Sequence, residues 1–199
     1  MILTETSPPS AAALPVRAFA EHLRLGRGFA DDGSLDAALE QYLRAALSAV
    51  EARTGRALMA RAFLWTVSRW QGETGQILPV GPVRSVESVT LVDAEGAATA
   101  VDPAVWSVVR DSQRPRLVGR FGRSLPRIPR SGHAEVRFTA GFSEDWAGVP
   151  GDLRQAALLL AAHYFEARTE SEATPGTMPF GVLALLECYR VVRIGGAGA

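Results

Sequence analysis

Two amino acids are missing from this chain and a third is nearly so. Its 199 residues include no lysine and no asparagine, so all 21 basic side chains are arginine, and Cys188 is the single cysteine. The first two absences read as a GC-rich coding bias and carry no function. One cysteine excludes a disulfide framework and a cysteine-based zinc site. No charge of either sign is in excess, since 21 acidic residues balance the arginines. The chain as a whole is therefore no generic binder of nucleic acid or anionic membrane. No apolar run is long enough to span a bilayer. The first residues lack a basic region, and Ala11–Leu14 is too short an apolar run for a signal peptide. These features predict a soluble, cytoplasmically made protein. An apolar fraction of 47% excludes wholesale disorder. The length suits one good core in one domain, with two small lobes as the other arrangement.

What is present begins with helices. Met1 to Leu14 reads as an extended arm, and Pro15 to Leu25 as a short helix with Pro15 at its start and Gly26 at its end. Ser34 stands as a cap for a longer helix. There Leu35, Leu39, Tyr42, Leu43, Ala46, Leu47 and Val50 share one face, and Gly55 closes it. Asp36, Glu40, Arg44 and Glu51 lie opposite as a solvated face.

After Arg56 the period changes. Phe63, Trp65 and Val67 alternate with Leu64, Thr66 and Ser68, which predicts a strand. Val86 to Val92 gives another, ending in the turn Asp93–Ala94–Glu95–Gly96, and Val105–Val109, Arg116–Val118 and Glu135–Thr139 are further candidates. Short strands with glycine and proline turns and no helix between them predict an antiparallel meander.

The segment from Phe138 to Arg168 is the most informative. A strand ends at the glycine turn Ala140–Gly141–Phe142, Val149–Pro150–Gly151 stops a polar loop, and Asp152 with Gln155 matches a capping box. From Leu153 to Phe165 only Arg154, Gln155 and His163 are polar, so apolar side chains cover nearly the whole circumference. Such a helix needs covering on every side, by its own domain or by another subunit. A loop from Thr169 to Met178 then leads to a last helix from Pro179 to about Arg190. The tail, Val191 to Ala199, holds three aliphatic residues and a glycine-rich end.

Chemistry-bearing constellations are scarce. His22, His133 and His163 fall in different elements without a second histidine or cysteine at ligand spacing, and the His163–Glu166 pair on an apolar helix reads as structural. Ser124, in Gly122–Arg123–Ser124–Leu125–Pro126, lacks the second glycine of a nucleophile elbow. Gly195, Gly196 and Gly198 follow no strand and open no helix, so they form no dinucleotide loop. The expectation is a protein without catalysis, metal or cofactor.

One charge feature remains. Arg110, Arg114, Arg116, Arg120, Arg123, Arg127 and Arg130 lie in a stretch whose one acidic residue is Asp111. With Phe121 and scattered glycines and prolines it reads as a loop or long hairpin. It is either a contact for phosphates or an acidic protein surface, or a solvated loop.

Taken in order, these residues resemble the head–tail connector (adaptor) proteins of long-tailed phages, above all the adaptor of alphaproteobacterial gene transfer agents. The resemblance runs through His22–Leu23–Arg24–Leu25, Asp31–Asp32, Ala49–Val50–Glu51 and Thr54–Gly55–Arg56–Ala57–Leu58. It continues through Trp70, Leu78–Pro79, Pro82–Val83, Val86, Val89, Asp93 and Gly96 to the Phe138–Arg168 segment, covering roughly residues 20 to 170. The chain departs from the pattern in the arginine-rich stretch and after Arg190.

The resemblance implies an α+β fold: a bundle of about four helices with an inserted small antiparallel β-domain and extended N- and C-terminal arms. The bundle would comprise residues 15–56 and 150–190, the β-meander 61–142 and the tail 191–199. It implies a structural adaptor in the neck of a phage-like particle, made in a bacterium: a cyclic ring of about a dozen copies under the capsid portal. Such a ring extends the DNA channel without sequence recognition and docks a stopper or tail protein; no membrane is involved. On that footing Leu158, Leu159, Ala162 and Phe165 are expected at the ring interface, and Val191, Val192, Arg193 and Ile194 on the portal. Arg116, Arg120, Arg123 and Arg127 are expected against a neighbouring subunit or neck protein. The other readings are a different neck component (a stopper or tail-completion protein) and a small-ligand binding module.

Overall fold

The computed structural model describes residues 1–23, 35–72, 74–111, 113–168 and 178–190. The chain divides into two compact units, residues 1–9 with 59–144 and residues 10–58 with 145–199. The fold is α+β, with four α-helices among the described residues and strands paired antiparallel in two sheets.

The first unit is built on a five-stranded sheet. Its strands are β1 (Ile2–Glu5), β2 (Arg61–Val67), β4 (Val83–Val92), β5 (Ala98–Ala100) and β8 (His133–Ala140). A smaller sheet holds β3 (Gly75–Ile77), β6 (Trp106–Val109) and β7 (Arg116–Gly119). Alternation does what the sequence predicts in β2 and β8. Phe63, Trp65 and Val67 are buried opposite Phe138, Val136 and Ala134, and the Phe63 and Phe138 rings stack at 5.5 Å. This cross-strand row is the spine of the sheet.

One expectation needs correction. The strands do not form a meander: the order is β1-β2-β8-β4-β5, so the last strand enters between the second and the fourth. The most fully alternating strand, β8, with four buried side chains, takes a central place where both its edges are paired. The N-terminal arm is extended, as expected, and it joins the sheet. Ile2–Glu5 adds to the open edge of β2, and Glu5 pairs with Arg61 at 3.0 Å. All four of its residues are exposed, so no burial pattern advertised a strand.

The second unit is helical: α1 (Val16–His22), α2 (Asp36–Thr54), α3 (Gly151–Ala167) and α4 (Phe180–Leu186). α2 packs on α3, which also meets α1 and α4. The predicted α2 stripe is the buried one, with Leu39, Leu43, Ala46, Leu47 and Val50 all in the core. Gly55 ends the helix in the left-handed conformation (φ 67°), its N–H donating to the Glu51 carbonyl at 2.8 Å. Glu40 and Arg44 pair at 2.8 Å on the outer face. Glu51 is not simply solvated: its carboxylate accepts from the Leu58 amide at 2.7 Å and fixes the chain as it leaves the helix. Ser34, Gly26 and the loop 169–177 lie outside the described residues.

The helix start at α3 differs from the predicted capping box. Pro150 is the N-cap, without a side-chain cap, so Asp152 falls inside the first turn. There its carboxylate accepts from Leu153 N at 3.0 Å and from the Tyr189 hydroxyl at 2.9 Å. The acid still complements the helix dipole but satisfies a different partner.

The predicted glycine turn has a steric cause. Gly141 adopts φ 133°, and a Cβ there would collide with the backbone of Met59 and Ala60. Gly141→Ala is therefore expected to destabilise the protein by about 3 kcal/mol or more. Denaturant unfolding checks this; a midpoint within error of the parent would contradict the steric account.

Candidate functional site

The described residues offer three surfaces of interest, each within one unit. The first is the arginine-rich stretch. It forms the β6–β7 hairpin, a tight turn at Arg120–Gly122, and an extended run toward β8. All seven arginines are exposed. Asp111 is absorbed by its own turn, accepting from Gln113 N at 2.7 Å and Arg114 N at 2.8 Å. The amides of Arg114 and Gln113, with the charges of Arg116 and Arg114, hold its carboxyl below the usual carboxylate range. Seven arginines less one aspartate leave this segment with a formal charge of +6.

The four arginines singled out from sequence are not equivalent. Arg116 stands on β7 in a row with Ile77 and Val109, both exposed, on its flanking strands. Arg120 is partly structural, its Nε donating to the Trp106 carbonyl at 2.9 Å. Arg123 and Arg127 project from the extended run, which is anchored by buried Leu125 and by Trp70 Nε1 donating to the Pro126 carbonyl at 2.8 Å. Sequence reasoning passed over the residue among them. Phe121 is 91% exposed and left-handed at φ 57°. An aromatic followed by glycine in a predicted turn was the available signal.

The second surface is α3. One side of this helix (Leu153, Ala156, Ala157, Leu160 and Ala161) is buried. On the other side Leu158 and Leu159 are half-buried, so some apolar area is left open. Ala162 is already 9% exposed in the lone chain and has little more to cover. Phe165 is half-committed: its ring meets Tyr42 edge-on at 5.6 Å and carries the Arg168 guanidinium at 3.5 Å. The open part of the helix is thus smaller than its composition suggested.

The third is a polar cluster that the sequence did not signal, because its members are far apart in the chain. Tyr189 donates to Asp152, and the Arg56 guanidinium lies 5.4 Å from the Tyr189 ring centroid. Cys188 Sγ stands 3.7 Å from the same carboxylate. Burial, then the hydrogen bond to Asp152, pushes the Tyr189 phenol from 10.0 up to about 12. No group of three His, Cys, Asp or Glu among the described residues could hold a metal ion, and His163 and Glu166 gain no third ligand there. No described helix is long and apolar enough to cross a membrane. Val191, Val192, Arg193 and Ile194 lie outside the described residues.

Comparison with known proteins places the chain as a whole. The chain is 48% identical, with a TM-score of 0.89 and 99% of each chain covered, to a chain in the neck of an empty GTA particle computed with C6 symmetry. A chain in the virion of a native gene transfer agent (GTA) particle is 47% identical (TM-score 0.87, 99% of each chain). One in the neck of a native GTA particle computed with C12 symmetry is 43% identical (TM-score 0.85, 99% of each chain). The chain belongs to the gene transfer agent neck proteins. No family model matches it, and no curated protein matches it in sequence. As a neck protein it is a structural component of the particle, in line with the resemblance drawn from its sequence.

In this neck protein the tyrosine cluster ties α4's end to α3's start. The raised phenol keeps its proton in the folded state where the unfolded chain has lost it. Its contribution is therefore complete below pH 10 and lost as pH rises toward about 12. Tyr189→Phe should flatten that part of the stability–pH curve and cost about 1 kcal/mol at neutral pH for the lost hydrogen bond. Urea unfolding at a series of pH values measures both; an unchanged alkaline slope would contradict the assignment.

Proposed function

We propose that this neck protein is the head–tail adaptor, a closed ring beneath the capsid portal that extends the DNA channel and docks the next neck or tail protein. The observation that carries the reading is the match over 99% of the chain to neck chains in particles computed with C6 and C12 symmetry. A cyclic assembly brings two different faces of each subunit together, head to tail. The half-open side of α3 supports a role in that contact: Leu158 and Leu159 are its main apolar content, with Ala162 and Phe165 contributing at the margin. Completing the burial of each leucine yields on the order of 1 kcal/mol. That is modest per contact and suits a ring in which the contact recurs at every subunit boundary.

The remaining assignments follow the same reading. Helices from residues 15–56 and 150–190 form the bundle, and Val191 to Ala199 is the hook into the portal, with Val191, Val192, Arg193 and Ile194 as its binding residues. Each tail is a weak ligand alone, and the ring presents all copies at once, so avidity multiplies the contact. The arginine stretch meets protein more than DNA. A ring of such segments facing the lumen would hold the duplex through many phosphate contacts, each adding to affinity, whereas a connector must let DNA slide.

The test is native mass spectrometry of the protein with a purified portal ring. The reading predicts a mass gain of one full ring of subunits, lost on deletion of residues 191–199. A protein that stays monomeric beside an unchanged portal would overturn the adaptor role. Binding unaffected by the deletion would overturn the hook alone.

A further inference from the structure

The turn that follows β7 is built to hold one aromatic side chain in water. Phe121 is the most exposed of the large apolar side chains among the described residues, at 91%. It is left-handed at φ 57°, and Gly122 follows at φ 72°. Left-handed backbone is disfavoured for a bulky residue and persists only where the surroundings enforce it.

Here they do. Gly119 lacks a side chain where a Cβ would collide with the Arg123 carbonyl, so the run leaving the turn packs directly against the end of β7. Arg123 N donates to the Arg120 carbonyl at 3.1 Å, and Arg120 Nε to the Trp106 carbonyl at 2.9 Å. Leu125 is buried just beyond, and Trp70 holds Pro126. The backbone that carries the ring is thus fixed by contacts on both sides, and exposed Arg120 and Arg123 flank it along the chain.

An exposed aromatic between two arginines has the composition enriched at interface cores, and a fixed backbone lowers the ordering cost of binding. We infer that Phe121 is the anchor of the docking face, seated in an apolar pocket rimmed by carboxylates on a different protein of the neck. The charge of the segment supplies the argument: seven arginines against Asp111 call for an acidic partner, and this chain has no acidic run to match them. Duplex DNA fits less well. Arginines alone serve phosphates, and a phenyl ring finds a face on a duplex only by unstacking it. The inference rests on the adaptor reading and specifies which residue makes its downstream contact.

The experiment uses assembled particles carrying the full chain with a photo-crosslinking phenylalanine at position 121, followed by mass spectrometry of the adduct. The expected product is an acidic-residue-containing peptide of another neck protein. A crosslink to DNA, to a second copy of this chain, or to nothing overturns the inference. In parallel, Phe121→Gly removes the ring and the backbone strain together. The purified variant should have an equal or higher Tm, while the crosslinked protein's occupancy in particles falls at least tenfold. Normal occupancy overturns the anchor. Failure of the adaptor reading looks different: the parent chain would then add no ring of subunits to the portal, whatever position 121 crosslinks to.

Discussion

One helix has more apolar surface than its own unit covers, and much of the helical unit follows from that. α3 commits the side bearing Leu153, Ala156, Ala157, Leu160 and Ala161 to the core. The small residues in that stripe let α2 and its leucines pack against it. The opposite side, with Leu158 and Leu159, is only half covered. The same sequence run therefore serves folding along one stripe and remains available along the other. A monomeric protein has little reason to keep the second stripe apolar; a subunit repeated around an axis has one in every copy.

The β-unit solves a different problem, which is to present a strongly basic segment in a fixed shape. Central β8 is paired on both edges and sets the frame. Around the small sheet, tight backbone approaches at Gly119 and side-chain anchors at Leu125 and Trp70 leave the arginine-bearing run little freedom. Stiffness matters because an unstructured arginine loop would lose conformational entropy on every contact it makes. Charge is thereby separated from fold: none of the seven arginines is in the core, although Arg120 lends its Nε to the turn.

What could be read from the sequence was whatever has a period. The α2 stripe, the alternation of Phe63, Trp65 and Val67, and the glycines at 55 and 141 all announced their elements. Strands β3 and β5 span three residues each and β1 is exposed throughout, so none shows a pattern to find. Strand order escaped because it depends on which edges meet across the chain, not on local pattern. At the α3 start, Pro150 took the cap position and left Asp152 for Tyr189, a partner 37 residues away. Of the expected site residues, Leu158 and Leu159 are half-open and the arginines are exposed. Ala162 and Phe165 are largely used within the chain, and Phe121 was passed over because no local pattern gives its exposure or the tie of Arg120 to the Trp106 carbonyl.

The central claim is that the half-covered side of α3 is a subunit contact in a closed ring. A cryo-electron microscopy reconstruction of the particle neck containing this chain, at side-chain resolution, tests it most directly. The account predicts a cyclic ring in which Leu158 and Leu159 of each copy are buried against the adjacent one. A neck in which this chain is present but those leucines face solvent would contradict it.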